Sequence, residues 1–333
     1  MTRQDPFRPR PADAPVLEGD SSFALPHRSV LLREVVEALS PSLEGTVVDC
    51  TVGAGGHAEA ILEASKKATV LGIDRDPEAV GRSRDRLSRF GKRARIRQGN
   101  FRRLREILAE EGVGEVAAVL LDLGVSGIQL RNPERGFSFL RDGPLDMRMG
   151  PDSRDTAASL LERLDERELG KVIWEYGEDR NARRIARRIV ADRERASLNT
   201  TAELARLVSS CARPSGGSRR RIHPATRTFQ AIRIAVNDEL GAIELALPQA
   251  VEALRSGGRV AAISFHSLED RLVKRFFAGE ARGCICPPEV PVCRCDHSPT
   301  VSVLTRKPVM ATVRELDENP EARSAKLRVA EKI

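Results

Sequence analysis

Three aspartates each close an apolar run: Asp49 in "TVVD", Asp74 in "ATVLGID" and Asp122 in "VAAVLLD". Between the first two lies "GAGGHA", residues 53–58, which fits G-x-G-x-x-A. Glycines at Gly53 and Gly55 let a backbone approach a small ligand closely. An acid about twenty residues further on, here Asp74, can take ribose hydroxyls. A dinucleotide is one candidate. Asp49, just ahead of the turn, would repel its pyrophosphate. A ligand with both an ammonium group and a ribose suits that carboxylate better. S-adenosylmethionine has both, plus a carboxylate that a helix N-terminus can hold.

The run D-x-T-x-G-x-G (Asp49, Thr51, Gly53, Gly55) resembles the first motif of class I methyltransferases, with Thr where most have Gly. Phe101, in "GNF", is placed either to pack on an adenine or to fill the core. Asp122 ends the fourth apolar run, where ligands of such folds lie. It is either a reaction-face carboxylate or a capping Asp. Ser264 and His266, in "AISFHSLED", are further polar groups for the same edge. His266 is read as a hydrogen-bonded histidine before a base.

These residues need a scaffold. Apolar runs at 46–51, 68–74, 94–99 and 116–124 read as strands, with helices near 56–66 and from Pro77. A further helix is expected over 27–40. Strands alternating with helices imply βαβ units. The rhythm stops at 125. Stretches 157–177, 179–195 and 201–213 carry helical periodicity, and a strand returns at 257–267. The expectation is an α/β Rossmann-like domain, 26–124 and 226–333, interrupted by an all-helical insert, 125–225. Residues 1–25, rich in Pro, Arg and Asp, read as a disordered extension.

The insert offers chemistry of its own. Arg180, Arg183, Arg184, Arg187 and Arg188 fall at helical spacing on one face. With "RRR" at 219–221 and Arg227 they could track phosphates. Phe137 and Phe139, in "RGFSF", could stack on an unpaired base or anchor the insert's core. Cys284, Cys286, Cys293 and Cys295 crowd into twelve residues beside His297. That reads as a structural zinc knuckle or as reduced thiols in a loop. The net charge of +7 favours a polyanion partner. No stretch approaches the length of a membrane span, and no secretory pattern is present, so a cytoplasmic, reducing setting is expected.

Several stretches together resemble one family: "HRSVLLREVVEAL", "DCTVGAGGH", "GIDRDPEA", "LLDLGVS", "RGFSFLRDGPLDMRM", "HPATRTFQAIRIAVNDEL", "SFHSLEDRLVKRFF" and "NPEARSAKLRVAEK". They are similar to the MraW family of ribosomal RNA small subunit methyltransferases from about His27 onward. The resemblance implies a class I methyltransferase fold with a helical substrate insert. It implies S-adenosylmethionine as donor and N4 of a cytidine in the decoding region of 16S rRNA as acceptor, on free RNA or the small subunit. It implies donor contacts at Gly55, Gly56, His57, Asp74, Phe101, Asp122 and Gln129. The family usually has Ser-Ser-Pro-Gln-Leu after "DLGV"; this chain has "SGIQL", keeping Gln129. A non-catalytic ribosome-assembly factor, a nicotinamide oxidoreductase and a DNA amino-methyltransferase are the rival readings. The intact acid–glycine set, Asp49 and a missing Pro-Pro motif after Asp122 speak against them in turn.

Overall fold

The computed structural model describes residues 29–193, 198–212, 223–284, 286, 292, 294–295 and 298–333. The expectations for 1–25, for Arg219–Arg221, for Cys293 and for His297 lie outside them.

The sheet begins as expected. β1 (Gly45–Asp49), β2 (Ala68–Asp74), β3 (Ala94–Gln98) and β4 (Val116–Asp122) alternate with α2 (Gly56–Ala64), α3 (Pro77–Leu87) and α4 (Leu104–Glu110), after α1 (Leu32–Leu39). β5 (Leu254–Ser264) joins β4 in parallel. Three strands escaped the sequence reading. β8 (Lys326–Lys332) runs antiparallel to β5, and β6 (Val301–Val303) and β7 (Val309–Met310) pair with β8. The order is β3-β2-β1-β4-β5-β8-β6. It reverses between β1 and β4, so the crevice outside their carboxyl ends is the place for a ligand.

Both faces of the sheet are covered. Val48, Leu71, Val119 and Leu121 pack with α4, α11 (Glu239–Ala253) and α12 (Ser267–Glu280). Val47, Val70, Ala118 and Leu120 face the other way, toward α1 and α2. β4 is buried on both sides except at Asp122, as a central parallel strand must be. The short α13 (Val313–Glu318) lies against this second layer: Glu315 Oε1 accepts the Leu31 amide at 2.6 Å.

The insert has a separate core. It comprises α5 (Gly127–Arg131), α6 (Ala157–Arg163), α7 (Glu166–Gly177), α8 (Ala182–Arg193) and α9 (Thr201–Ser210). The periodic stretch 157–177 is two helices, because Asp165 and Glu168 form a capping box that starts α7 afresh. Helix α10 (Ala225–Asn237) contributes Phe229, Ile232 and Val236 to the insert's core, not to the sheet. We therefore propose that the insert's second border falls near Asn237 instead of 225. There Asp238 takes φ 48°, separating α10 from α11.

Candidate active site

The carboxyl ends of β1, β2 and β4 bring Asp49, Asp74 and Asp122 around the glycine turn. Gly53 takes φ +53°, and its amide donates to Asp74 Oδ2 at 2.9 Å. A Cβ on Gly56 would lie 2.1 Å from Ser29 Oγ, so a larger residue there would force that hydroxyl to rotate away. Asp74 also accepts from the Asp76 amide at 2.9 Å. These bonds only partly offset burial, which raises its carboxyl to about 6. Each oxygen keeps a lone pair for a further donor.

Asp49 is fully buried. Its Oδ1 accepts the Thr51 amide at 3.2 Å, while Oδ2 has no partner among the described residues. Burial pushes it up to about 7; the Thr51 bond opposes this and the Asp74 charge adds to it. Thr51, where class I motifs usually carry Gly, has a use here. Its hydroxyl accepts the Asp122 amide at 2.7 Å and so ties the turn after β1 to the end of β4.

Asp122 lies 3.6 Å from His57 Nδ1 through Oδ2, and its buried Oδ1 has no hydrogen-bond partner among the described residues. Burial, reinforced by the charges of Asp49 and Glu269, holds its carboxyl well above the usual range. His57 Nε2 sits 2.9 Å from the Val30 carbonyl, which can only accept. Nε2 therefore carries a proton, and Nδ1 faces Asp122 with a lone pair or a second proton. One proton can be shared between them.

Some expected residues land elsewhere. Ser264 is buried against β8, its hydroxyl toward the Lys326 carbonyl at 3.4 Å, and does not face the reaction crevice. His266 caps α12, with Nδ1 3.5 Å from the Glu269 amide. Its Nε2 sits 3.1 Å from Glu269 Oε1, an ion-pair contact misaligned for a hydrogen bond. Burial alone would raise Glu269, but His266, Arg233 and the Phe265 amide hold it below the usual range. Glu239 completes a tight group with these two residues, yet Arg233 already grips both its oxygens at 2.8 Å. The arrangement is that of an oriented, hydrogen-bonded histidine.

Gln129 is buried and donates to Asp76 Oδ2 at 2.8 Å while closing a capping box with Ser126. It thus braces the loop beyond Asp74. Phe101 is half-buried after β3, packed on the core beside Leu104. Phe137 is 6% exposed in the insert's core and cannot stack on a base without leaving it. Phe139 packs on His223 and Phe229 at centroid distances of 4.5 and 4.9 Å.

The arginine stripe is partly neutralised. Arg180 lies in the turn before α8 and not on its face. Arg187 meets Glu166 at 3.3 Å and Arg188 meets Asp192 at 2.9 Å. Arg183 and Arg184 are exposed and have no ion pair among the described residues. Arg227 is exposed and donates to the Glu178 carbonyl at 3.1 Å. Sequence reasoning passed over Trp174, 58% exposed on α7, whose only signal was being the chain's single tryptophan. It also missed Glu269, although His266-x-x-Glu269 has capping-box spacing.

A Rossmann-like doubly wound sheet, with an acid at each strand end around a glycine turn and a helical insert beside it, defines an S-adenosylmethionine-dependent methyltransferase. The chain belongs to the MraW methylase family, whose model matches residues 24–333. A relative from Geobacter sulfurreducens, named ribosomal RNA small subunit methyltransferase H, is 53% identical over 308 residues, covering 92% of this chain and 99% of its own. Relatives of the same name from Trichlorobacter lovleyi and Heliobacterium modesticaldum are 51% and 50% identical, each covering 92% of this chain and 98% of their own.

The methyl donor of this class fits the residues present. Asp49 Oδ2 is a buried acceptor without a partner, which an ammonium group would satisfy. Asp74 retains acceptor capacity for ribose hydroxyls. The amides opening α2 offer positive potential to a carboxylate.

Proposed function

We propose that this chain transfers a methyl group from S-adenosylmethionine to the exocyclic N4 of a cytidine in the decoding region of 16S rRNA. The observation that carries the chemistry is Asp122: a half-buried carboxylate at the end of β4, with a buried oxygen that has no hydrogen-bond partner among the described residues and the other oxygen facing His57. Family membership supports a small-subunit ribosomal RNA as substrate, for which the relatives are named; the cytidine N4 is the narrower reading proposed here. The exposed Arg183, Arg184, Arg227 and Trp174 on the insert supply phosphate and stacking contacts for such a substrate. No described helix is long and apolar enough to cross a membrane, and a cytoplasmic setting accords with an rRNA substrate.

S-Adenosylmethionine, when bound, supplies an electrophilic methyl on a positively charged sulfur. Asp49, Gly53, Gly55, Gly56, His57, Asp74, Phe101 and Gln129 hold or brace it, in this reading. The acceptor amine is a weak nucleophile because its lone pair is delocalised into the ring. Asp122 Oδ1 accepts a hydrogen bond from one amine N–H, which orients the lone pair and returns electron density to nitrogen. The nitrogen–methyl bond forms as the methyl–sulfur bond breaks, and the amine then carries one proton too many. Asp122 takes that proton and His57 Nδ1 shares it. Ser264 has no part, and His266 acts only through Glu269 on the shape of the β5–α12 turn.

The test is methylation of purified small subunits and of free 16S RNA with labelled donor, followed by mapping of the modified nucleotide. Label at a cytidine N4 in the decoding region is expected. Label only at another base, or none with either substrate, overturns the assignment.

A further inference from the structure

The three described cysteines after α12 stand in a geometry of their own. Cys284, Cys286 and Cys295 bring their sulfurs within 4.8 Å of one another. Cys284 and Cys295 Sγ are 3.7 Å apart. A disulfide needs about 2.05 Å, and three thiols cannot all pair. Sulfurs at two corners of a tetrahedron around zinc, with bonds of about 2.3 Å, sit about 3.8 Å apart. The observed separation matches that edge.

The backbone also treats these sulfurs as acceptors. The Cys286 amide lies 3.4 Å from Cys284 Sγ, and the Arg294 amide 3.4 Å from Cys286 Sγ. Amide donors of this kind surround metal-bound thiolates and stabilise their charge.

The chain around them needs a staple. The excursion from α12 to β6 is closed at its neck, where Thr300 donates to Glu280 through its amide at 2.9 Å and its hydroxyl at 2.5 Å. Between the two residues the sequence offers Ile285, Val290 and Val292 as large aliphatics, and Val292 is 67% exposed. The stretch also carries four prolines, Pro287, Pro288, Pro291 and Pro299. A sequence with so few large apolar side chains is of the kind that a cross-link or a metal orders.

We propose that Cys284, Cys286 and Cys295 are thiolate ligands of a structural zinc ion that fixes the excursion between α12 and β6. A closed tetrahedral site takes a fourth donor; the segment holds two more, Cys293 and His297, outside the described residues. The ion is structural by position. Helix α12, of 14 residues, spans about 21 Å. His266 caps its end at the strand termini of the reaction crevice, and the cysteines follow its other end.

The experiment uses the untagged full chain, purified with a thiol reductant and without chelator or added metal. Elemental analysis is expected to find about one zinc per chain. Exchange into cobalt(II) is expected to produce intense sulfur-to-cobalt charge-transfer absorption and tetrahedral d–d bands. The C284S/C295S variant should lose the zinc and melt several degrees lower, while methyl transfer well below its melting point stays within about twofold. Zinc below about 0.1 per chain with no cobalt uptake overturns the proposal. So does stoichiometric iron, or a Cys284–Cys295 disulfide found by non-reducing peptide mapping.

Discussion

At the scale of single residues, buried acids dominate the site, and their protonation sets its pH behaviour. Burial raises Asp49 to about 7. An acid raised in the folded state favours folding below its unfolded pKa, near 4, and loses that contribution as pH rises through about 7. The free protein should therefore lose stability over that window, and Asp49→Asn should recover it. We expect D49N to melt roughly 2–4 °C above the native chain at pH 8 and little differently at pH 4.5, by scanning calorimetry. The same variant should bind S-adenosylmethionine at least about tenfold more weakly, through loss of a charged partner. Native affinity should rise between pH 6 and 8 as Asp49 ionises. An affinity flat across that range would remove Asp49 from donor binding. Asp122 makes a different prediction. Asp122→Asn keeps the shape and removes the proton acceptor, so single-turnover transfer at saturating donor should fall about 10²- to 10⁴-fold. Asp122→Ala should fall at least as far. A near-native single-turnover rate in either variant would sink its role.

At the scale of elements, what the sequence revealed depended on burial. β4 is buried at six of its seven residues, β2 at five of seven and β1 at its last three, and such stretches read as apolar runs. β8 was missed because Lys326, Arg328, Glu331 and Lys332 interrupt it. Arg328 is nevertheless buried, its charge met by Asp270 at 2.7 Å. That is a tertiary compensation no local pattern displays. The glycine turn and its acids were legible from spacing; the Thr51 bridge and the Asp122–His57 contact join residues far apart in sequence and were not. Helix α8 shows the same limit. Its arginines were visible and Asp192, at i,i+4 from Arg188, could have been read from spacing; Glu166, on another helix, could not. Two partners, Glu166 on α7 and Asp192 one turn on, divide the face into paired and unpaired charges. The unpaired pair should matter more. R183E/R184E is expected to weaken binding to small-subunit RNA and reduce the salt slope by about two, on the order of 0.9 per lost phosphate contact. R187E/R188E should have a smaller effect. A salt titration in which the two double variants coincide, or in which R183E/R184E matches the native chain, would remove α8 from the RNA surface.

At the scale of the whole molecule, the insert is fastened to the loops that carry the proposed donor site. Arg75 follows Asp74 directly and reaches across. It donates to Asp152 at 3.0 Å, to Ser153 Oγ at 2.9 Å and to the Asn237 carbonyl at 3.1 Å. Asn100, beside Phe101, donates to the other oxygen of Asp152 at 2.8 Å. Asn237, where α10 ends, accepts the Met149 amide and Ser153 hydroxyl and donates to the Met147 carbonyl at 2.7 Å. It thereby holds Met147 at φ 59°, a backbone state that side chains resist. A donor that orders the Asp74 and Phe101 loops must also order Arg75 and Asn100, and through them the insert. Binding of donor and of RNA should be coupled, and the coupling is reciprocal. We expect donor affinity to tighten about 5- to 150-fold when the small subunit or its RNA is bound, the usual range for such coupling. In Arg75→Ala the donor affinity of the free enzyme should change little, because Asp49 and Asp74 remain. The tightening by RNA should fall toward unity. Calorimetric titration of donor into native and R75A protein, each with and without RNA, measures all four affinities of the cycle. Equal tightening in both proteins would show that the arginine only fastens the insert and transmits nothing. Loss of donor binding in free R75A would place it in the donor site itself.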